Sequence, residues 1–327
     1  MLLAAIDYGT VTSRLLIADL DETGIHQLLK KTIITHLGEG LAQTGQISAD
    51  AISRVVAASQ SFMAEIQAVN QDSSTANQVQ AVRAVATSAM RDAANSDEVV
   101  KQLAELGIDV RIIAGSDEAR LSFSGTTTGF GSDQIADTTV LVADIGGGST
   151  ELIVGRVASD GVYPQILEAV SLNIGARRIT DNFLLGDPPT ADELAAARDF
   201  VRQQLAGFFL AVEQREIAID SVIAVAGTAT TAVSIRERMQ QYDAELVHGQ
   251  TVSATDLRTM IADLSALNLA ARSQVVGLQQ GRAPVVIGGM LILDELLTLA
   301  RQDGFIASET DILQGILLDT WQQLRVM

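Results

Sequence analysis

The sequence predicts an α/β protein of two related domains, each a twisted mixed sheet with helices on its faces. Three observations carry that prediction. "IDYGTVTSRLLI" (residues 6–17) aligns without a gap on "ADIGGGSTELIV" (residues 143–154), so Asp7 corresponds to Asp144, Gly9 to Gly146 and Arg14 to Glu151. Each copy reads as a strand, a tight turn and an antiparallel return strand, because apolar runs flank residues that permit unusual backbone angles. Helical patterns then alternate with short apolar runs along both halves, which is how α/β layers are written in sequence. A match of this length points to duplication.

After the first hairpin, "ISADAISRVVAASQSFMAEIQAV" carries apolar residues at helical spacing from Ser48 onward, and "VQAVRAVATS" reads as a buried strand. Ser96 is expected to cap "DEVVKQLAEL" and Gly107 to close it, with "IDVRIIAG" returning as a strand. In the second half, "ADELAAARDFVRQQLAGFFLAVEQ" follows Thr190 as a long amphipathic helix, "SVIAVAG" is a strand, and "TATTAVSIRERM" starts a helix straight after the glycine. "PVVIGGMLILDELLTLA" opens with Pro284 and reads as a buried helix. "NQDSSTANQ" near residue 74 and "SDQIADT" near residue 135 are the least ordered stretches, and the second is the expected domain crossing.

Composition narrows the chemistry. With 327 residues, 47% of them hydrophobic, the chain can bury sizeable cores. It has no cysteine, and His26, His36 and His248 show no metal-binding spacing, so metal chemistry would use carboxylates and a hard ion such as Mg²⁺. A net charge of −18 argues against non-specific nucleic-acid binding, and a polyanionic substrate would need local arginines or bridging metal ions. No window reaches the roughly 18 apolar residues of a membrane span, and "MLLAAIDYG" lacks the features of a signal peptide, so a cytoplasmic protein with no membrane partner is expected.

The candidate site residues come from the hairpins and two further stretches. Gly146, Gly147, Gly148 and Ser149 offer backbone amides that can converge on an anion, with no side chain in the way at the glycines. Asp144 and Glu151 stand at the two rims, where Mg²⁺ could bridge them to phosphate, although Asp144 alone reads equally well as a turn cap. Arg14 ends the first turn with a fork suited to phosphate, or with a surface ion pair. "ATSAMRDAAN" puts Arg91 on a short helix after a strand, with Thr87 and Ser88 at its start. "AGSDEARLSFSG" puts Asp117 and Glu118 in the first turn of a helix, a place that acids also take as dipole partners.

With these stretches in view, the chain resembles the exopolyphosphatase and guanosine pentaphosphate phosphohydrolase family over essentially its whole length. The motifs that carry the likeness are "AIDYGTVTSRLLIAD", "VATSAMRDAAN", "IIAGSDEARLSFSG", "VADIGGGSTELIVG", "SLNIGARRITDNF", "AVAGTATTAVSI" and "GRAPVVIGGMLILDELL", in that order. The resemblance implies a duplicated actin-like, ribonuclease H-like fold with a cleft between its domains. In such a fold the final helix, 310–327, returns to the first domain, giving 1–130 with 310–327 as one domain and 131–309 as the other. It further implies Mg²⁺-assisted hydrolysis of terminal phosphate from inorganic polyphosphate, or of the 5′ γ-phosphate from guanosine pentaphosphate. Glu118 then matches the general base on water. Asp144 and Glu151 match positions that handle metal or water, with Asp7 as a further metal ligand. Gly9, Thr10, Arg14, Arg91 and Gly146 to Ser149 match phosphate-binding positions, and a homodimer is a family-level expectation.

The chain departs from the family pattern in the first loop. Thr10, Val11 and Thr12 stand where Ser-Asn-Ser is usual, and Val11 lacks the side-chain hydrogen bonds of asparagine. The extra C-terminal helical domains of longer members are also expected to be missing. Two other functions fit the hairpins: a kinase holding ATP on the same fold, and a sensor that binds polyphosphate or guanosine polyphosphates without hydrolysis. A serine hydrolase does not fit, since no G-x-S-x-G elbow with a suitable histidine is present.

Overall fold

The computed structural model describes residues 1–71, 78–130, 135, 137–157 and 165–326, so most of "NQDSSTANQ" and "SDQIADT" lies outside the described residues. The chain divides into two compact units, residues 1–128 with 312–327, and residues 129–311.

Unit 1 is built on a five-stranded sheet of order β3-β2-β1-β4-β5. Strands β1 (Leu2–Tyr8), β2 (Thr12–Asp21) and β3 (Gly24–Ile34) form an antiparallel meander, while β4 (Ala81–Ala86) runs parallel to β1 and β5 (Val110–Ile112) parallel to β4. Its helices are α1 (Leu41–Thr44), α2 (Ala49–Gln71), α3 (Ser88–Asp92), α4 (Ser96–Glu105), α5 (Gly115–Thr127) and the terminal α13 (Ile312–Val326). Every residue of β1 is buried because both sheet faces are covered. Leu15 and Ile17 of β2 with Ile6 meet Ile52, Val55 and Phe62 of α2 on one face, and Leu3, Ala5 and Leu16 meet Leu121, Leu313 and Leu317 on the other. Burial pushes the Tyr8 phenol up to about 12, and its hydroxyl shares a 2.8 Å hydrogen bond with Ser59 on α2.

Two local expectations shift. Only Ala84–Ala86 of β4 are buried, while Val82 and Arg83 face solvent. The cap of α4 falls on Asn95, one residue before Ser96, and makes no side-chain capping bond, because the Asn95 amide exchanges 2.8 and 2.9 Å hydrogen bonds with the Ile47 backbone. Gly107 does follow that helix with a φ of 78°, the left-handed conformation that glycine adopts without strain.

Unit 2 repeats the plan. Its sheet order, β10-β11-β9-β6-β7-β8, is that of unit 1 with one more edge strand. The meander is β6 (Thr139–Ile145), β7 (Thr150–Arg156) and β8 (Gln165–Leu172); β9 (Ser221–Val225) and β11 (Gly304–Ala307) add in parallel, and β10 (Thr251–Ser253) pairs antiparallel at the edge. The register between second and third strands breaks between Ile17 and Ala18 in unit 1 and between Val154 and Gly155 in unit 2, equivalent positions of the sequence repeat. An irregularity shared at one position is a feature of the repeated unit rather than an accident of one sheet.

The helices of unit 2 are α6 (Ala176–Phe183), α7 (Ala191–Gln214), α8 (Ala226–Arg236), α9 (Ala244–Val247), α10 (Ala254–Ser265), α11 (Leu269–Arg272) and α12 (Val286–Ala300). Helix α8 begins at Ala226, one residue before Gly227. Helix α12 is buried over Val286–Leu297 and fills the core, as the buried helix read after Pro284 predicts. Two acids on it, Asp294 and Glu295, are buried but held by Arg198 and Arg202 of α7 and Arg258 of α10 at 2.6 to 2.9 Å. Removing one partner of such a set would strand a charge in the core. At the start of α7, Thr190 and Glu193 form a complete capping box. Thr190→Ala is expected to cost about 1 kcal/mol, read as a lower urea midpoint.

Both ends of unit 2 meet at His248. Its Nε2 donates to the Gly129 carbonyl at 2.8 Å, and its Nδ1 accepts from the Glu309 amide at 3.2 Å, which fixes the neutral Nε2–H tautomer. Its ring lies 4.8 Å from that of Phe130. Thr310 closes over Gly129, where an added Cβ would sit 2.0 Å from the Thr310 hydroxyl oxygen.

Candidate active site

The two hairpins are alike down to their turn bonds. Gly9 N donates to Thr12 O at 2.9 Å, and Gly146 N to Ser149 O at 3.0 Å. Asp7 pairs with Arg14 across one ladder and Asp144 with Glu151 across the other. In both units the carbonyls of the turn are taken by the segment after the third strand. In unit 1, Gly38 N donates to Thr10 O, and Thr35 N and His36 N to Val11 O, each at 2.9 Å. In unit 2, Ala176 N donates to Gly146 O, Arg177 N and Arg178 N to Gly147 O, and Arg178 Nε to Gly148 O at 3.0 Å.

With the carbonyls held, the amides are left for a ligand. Among the described residues, those of Gly147, Gly148 and Ser149 have no backbone or side-chain acceptor, and neither do those of Thr10 and Val11. Three successive amides with this freedom make an anion cradle. The Val11 side chain is buried, so that loop presents its main chain where asparagine would add a side-chain amide. Gly175, at the start of α6, is required by contact: a Cβ there would lie 2.5 Å from the Gly147 carbonyl. The spacing between Gly38 and Gly175 equals that between Asp7 and Asp144, and Gly38 is equally crowded, with Thr10 Cγ2 at 2.3 Å from its would-be Cβ.

The like positions carry unlike charges. In unit 1, Arg14 donates from Nε at 3.0 Å and from Nη2 at 2.6 Å to one Asp7 oxygen, and Asp7 is only 2% exposed. The first hairpin therefore holds its own cation. In unit 2 two carboxylates, Asp144 and Glu151, face each other directly across the ladder and both are buried. Like charges directly opposed in a sheet destabilise it, so a shared cation is favoured there. Ser171, opposite Glu151 on β8, donates to Glu151 Oε1 at 2.6 Å and orients it. Among the described residues no three His, Cys, Asp or Glu side chains gather as a metal-binding group. One or two carboxylates completed by water and phosphate oxygens is the usual donor set for Mg²⁺, and the Asp144–Glu151 pair fits it.

The other pair in unit 1 joins two elements. Arg91, on α3 after β4, donates from Nη1 to Glu118 Oε2 at 2.6 Å and to the Ile113 carbonyl at 3.0 Å. Glu118 lies in the first turn of α5 and is 7% exposed, whereas its neighbour Asp117 is half-buried and turns elsewhere. A buried carboxylate beside a guanidinium can accept a proton from water while the remaining guanidinium N–H groups can bind a phosphate oxygen. Sequence reading did not single out Gly38, Gly175, Arg178 or Ser171. The only trace of them was the motif "SLNIGARRITDNF" and, for the glycines, the continuation of the repeat.

The duplicated hairpin on duplicated mixed sheets defines an α/β protein of the actin-like class. Within that class the chain belongs to the Ppx/GppA phosphatase family, whose model matches residues 16–324. It is a phosphoanhydride hydrolase by family. Exopolyphosphatase 2 of Mycobacterium tuberculosis is 34% identical, over 96% of this chain and 97% of its own. A crystal structure of an exopolyphosphatase-like protein superposes with a TM-score of 0.88 at 31% identity, covering 99% of this chain and 98% of the other. An exopolyphosphatase from Cytophaga hutchinsonii superposes with a TM-score of 0.85 at 25% identity, over 99% and 98% of the two chains.

Proposed function

We propose that the chain is an exopolyphosphatase that removes the terminal phosphate of inorganic polyphosphate by attack of a water activated by Glu118. The observation that carries this reading is the pair of half-buried Arg91 with buried Glu118, which sets a carboxylate beside a guanidinium without any histidine. Phosphoryl transfer needs a positioned water, a base and cations on the non-bridging oxygens. In this assignment Glu118 takes the proton of the attacking water, and Arg91 binds a phosphate oxygen next to it. Arg14, steadied by Asp7, belongs to phosphate binding with the first turn, which Gly9 closes and whose Thr10 and Val11 amides are available, and with the second turn, which Gly146 closes and whose Gly147, Gly148 and Ser149 amides are available. Asp144 and Glu151 would hold Mg²⁺, which when bound neutralises phosphate oxygens and stabilises the leaving group.

Polyphosphate is preferred as the substrate because relatives with whole-length matches carry the exopolyphosphatase name. The test is orthophosphate release from polyphosphate and, in parallel, from guanosine pentaphosphate, with Mg²⁺ or with EDTA. Release is expected mainly from polyphosphate and only with the metal. Ser171→Ala, which frees Glu151 to turn, is expected to raise the Mg²⁺ needed for half-maximal rate by about tenfold or more. Tight binding of either compound with no release would replace the hydrolase with a sensor.

A further inference from the structure

Unit 1 contains a cavity of about 320 Å³ that the proposed chemistry does not use. It lies over the β4–β5 edge of the sheet, on the face covered by α5 and α13, and its lining includes Arg83, Arg111, Arg120, Asp109, Asp117 and Asp319. Val85, Leu121 and Ile316 give it an apolar floor and wall. Arg111 is the register partner of Val85 on the neighbouring strand, and Arg83 lies two residues before Val85, so both arginines stand on the same face of the sheet.

Arg120 is engaged with Asp319 at 3.0 Å. The Arg83, Arg111, Asp109 and Asp117 side chains make no hydrogen bond or ion pair among the described residues. In a chain of net charge −18, two unpaired guanidinium groups sharing a cavity stand out. Arg83 and Arg111, both exposed, present forked donors that suit a phosphate, while Asp109 and Asp117, which balance their charge, are left for donors on the same ligand. Aspartate carboxylates accept hydrogen bonds, so Asp109 and Asp117 call for N–H or O–H donors on the same ligand. The volume is that of a small-molecule site, about 300–1,000 Å³, and a bare phosphate would leave most of it empty.

We propose that this cavity binds a phosphomonoester carrying hydrogen-bond donors, of the size of a nucleoside monophosphate, with its phosphate on Arg83 and Arg111 and its donors on Asp109 and Asp117. Helix α5 gives Asp117, Arg120 and Leu121 to the cavity and Glu118 to the pair with Arg91. Occupancy therefore changes the rate of hydrolysis through α5, a coupling that rests on the role proposed for Glu118.

Calorimetric titration of the full chain with adenosine 5′-monophosphate and with ribose 5-phosphate tests the site without any reference to catalysis. Both are expected to bind. Arg83→Gln with Arg111→Gln should weaken both by about a hundredfold, since each lost charged hydrogen bond is worth about tenfold or more. Asp117→Asn should weaken the nucleotide by about tenfold. An unchanged circular dichroism spectrum and urea midpoint exclude misfolding of the variants. Absence of binding at millimolar concentration, or binding that the double variant leaves intact, overturns the proposal. In a parallel rate assay the double variant keeps its basal activity and loses the response to adenosine 5′-monophosphate. A wild-type rate indifferent to saturating nucleotide overturns the coupling.

Discussion

Glu118→Gln is expected to lower kcat for phosphate release by about 10² to 10⁴ while leaving KM within a few-fold of the wild type. The magnitude follows from what a positioned base contributes to proton transfer in the transition state. The split follows from the geometry. Glutamine keeps the shape of the side chain, and the Arg91 guanidinium, still anchored on the Ile113 carbonyl at 3.0 Å, remains free to bind phosphate. A Glu118 that served only to hold Arg91 in place would give the opposite result, a raised KM with kcat nearly intact. Steady-state release of orthophosphate by the two forms, at saturating Mg²⁺, separates the cases, and a kcat within threefold of wild type would remove Glu118 from the chemistry.

The second large effect is expected at a residue that bears no functional group. A methyl group at Gly175 would stand 2.5 Å from the Gly147 carbonyl and 2.6 Å from Gly148 N, and neither backbone atom can swing aside as a side-chain tip would. Gly175 is in extended conformation, which alanine adopts freely, so the whole effect is contact. Relief requires α6 and the glycine turn to part, and with them the bonds from Ala176, Arg177 and Arg178 that hold the turn carbonyls. Gly175→Ala is expected to cost about 1–3 kcal/mol of stability, read from urea unfolding, and to raise KM for polyphosphate at least about tenfold. Gly207→Ala is the control: nothing lies within 4 Å of its would-be Cβ inside α7, and it should stabilise by about 0.5–1 kcal/mol with KM unchanged.

The central hairpins were legible because their signal is local. A strand of continuous apolar residues, a turn of small ones and an aspartate at a fixed place repeat within a dozen residues, and the partners Asp7–Arg14 and Asp144–Glu151 fall opposite each other by hairpin register alone. The long helices with marked starts, such as α7 after Thr190, were legible for the same reason. The third strands, β3 and β8, were not, since "GIHQLLKKTII" and "QILEAVSL" lie at sheet edges with no residue fully buried and lack a clean alternation. Arg91 and Glu118 could each be named from their motifs, but their contact spans two helices and a strand, and no spacing rule reaches that far. Gly175 needs the same long view: its crowding against Gly147 arises only when β8 has been laid beside β7.

The meeting of both ends of unit 2 at His248 bears on how the chain is made. Residues 129–311 form one continuous body that starts and finishes at the same spot, with Gly129 and Thr310 in contact, so this body is an insertion in unit 1. Unit 1, although its sheet precedes unit 2 in the chain, is completed only by α13, which is synthesised after the whole of unit 2. Until it arrives, Leu3, Ala5 and Leu16 have no Leu313, Ile316 or Leu317 to cover them. The usual order of synthesis, in which the N-terminal domain folds first, is thereby reversed, and the later-made body is the first that can close its core.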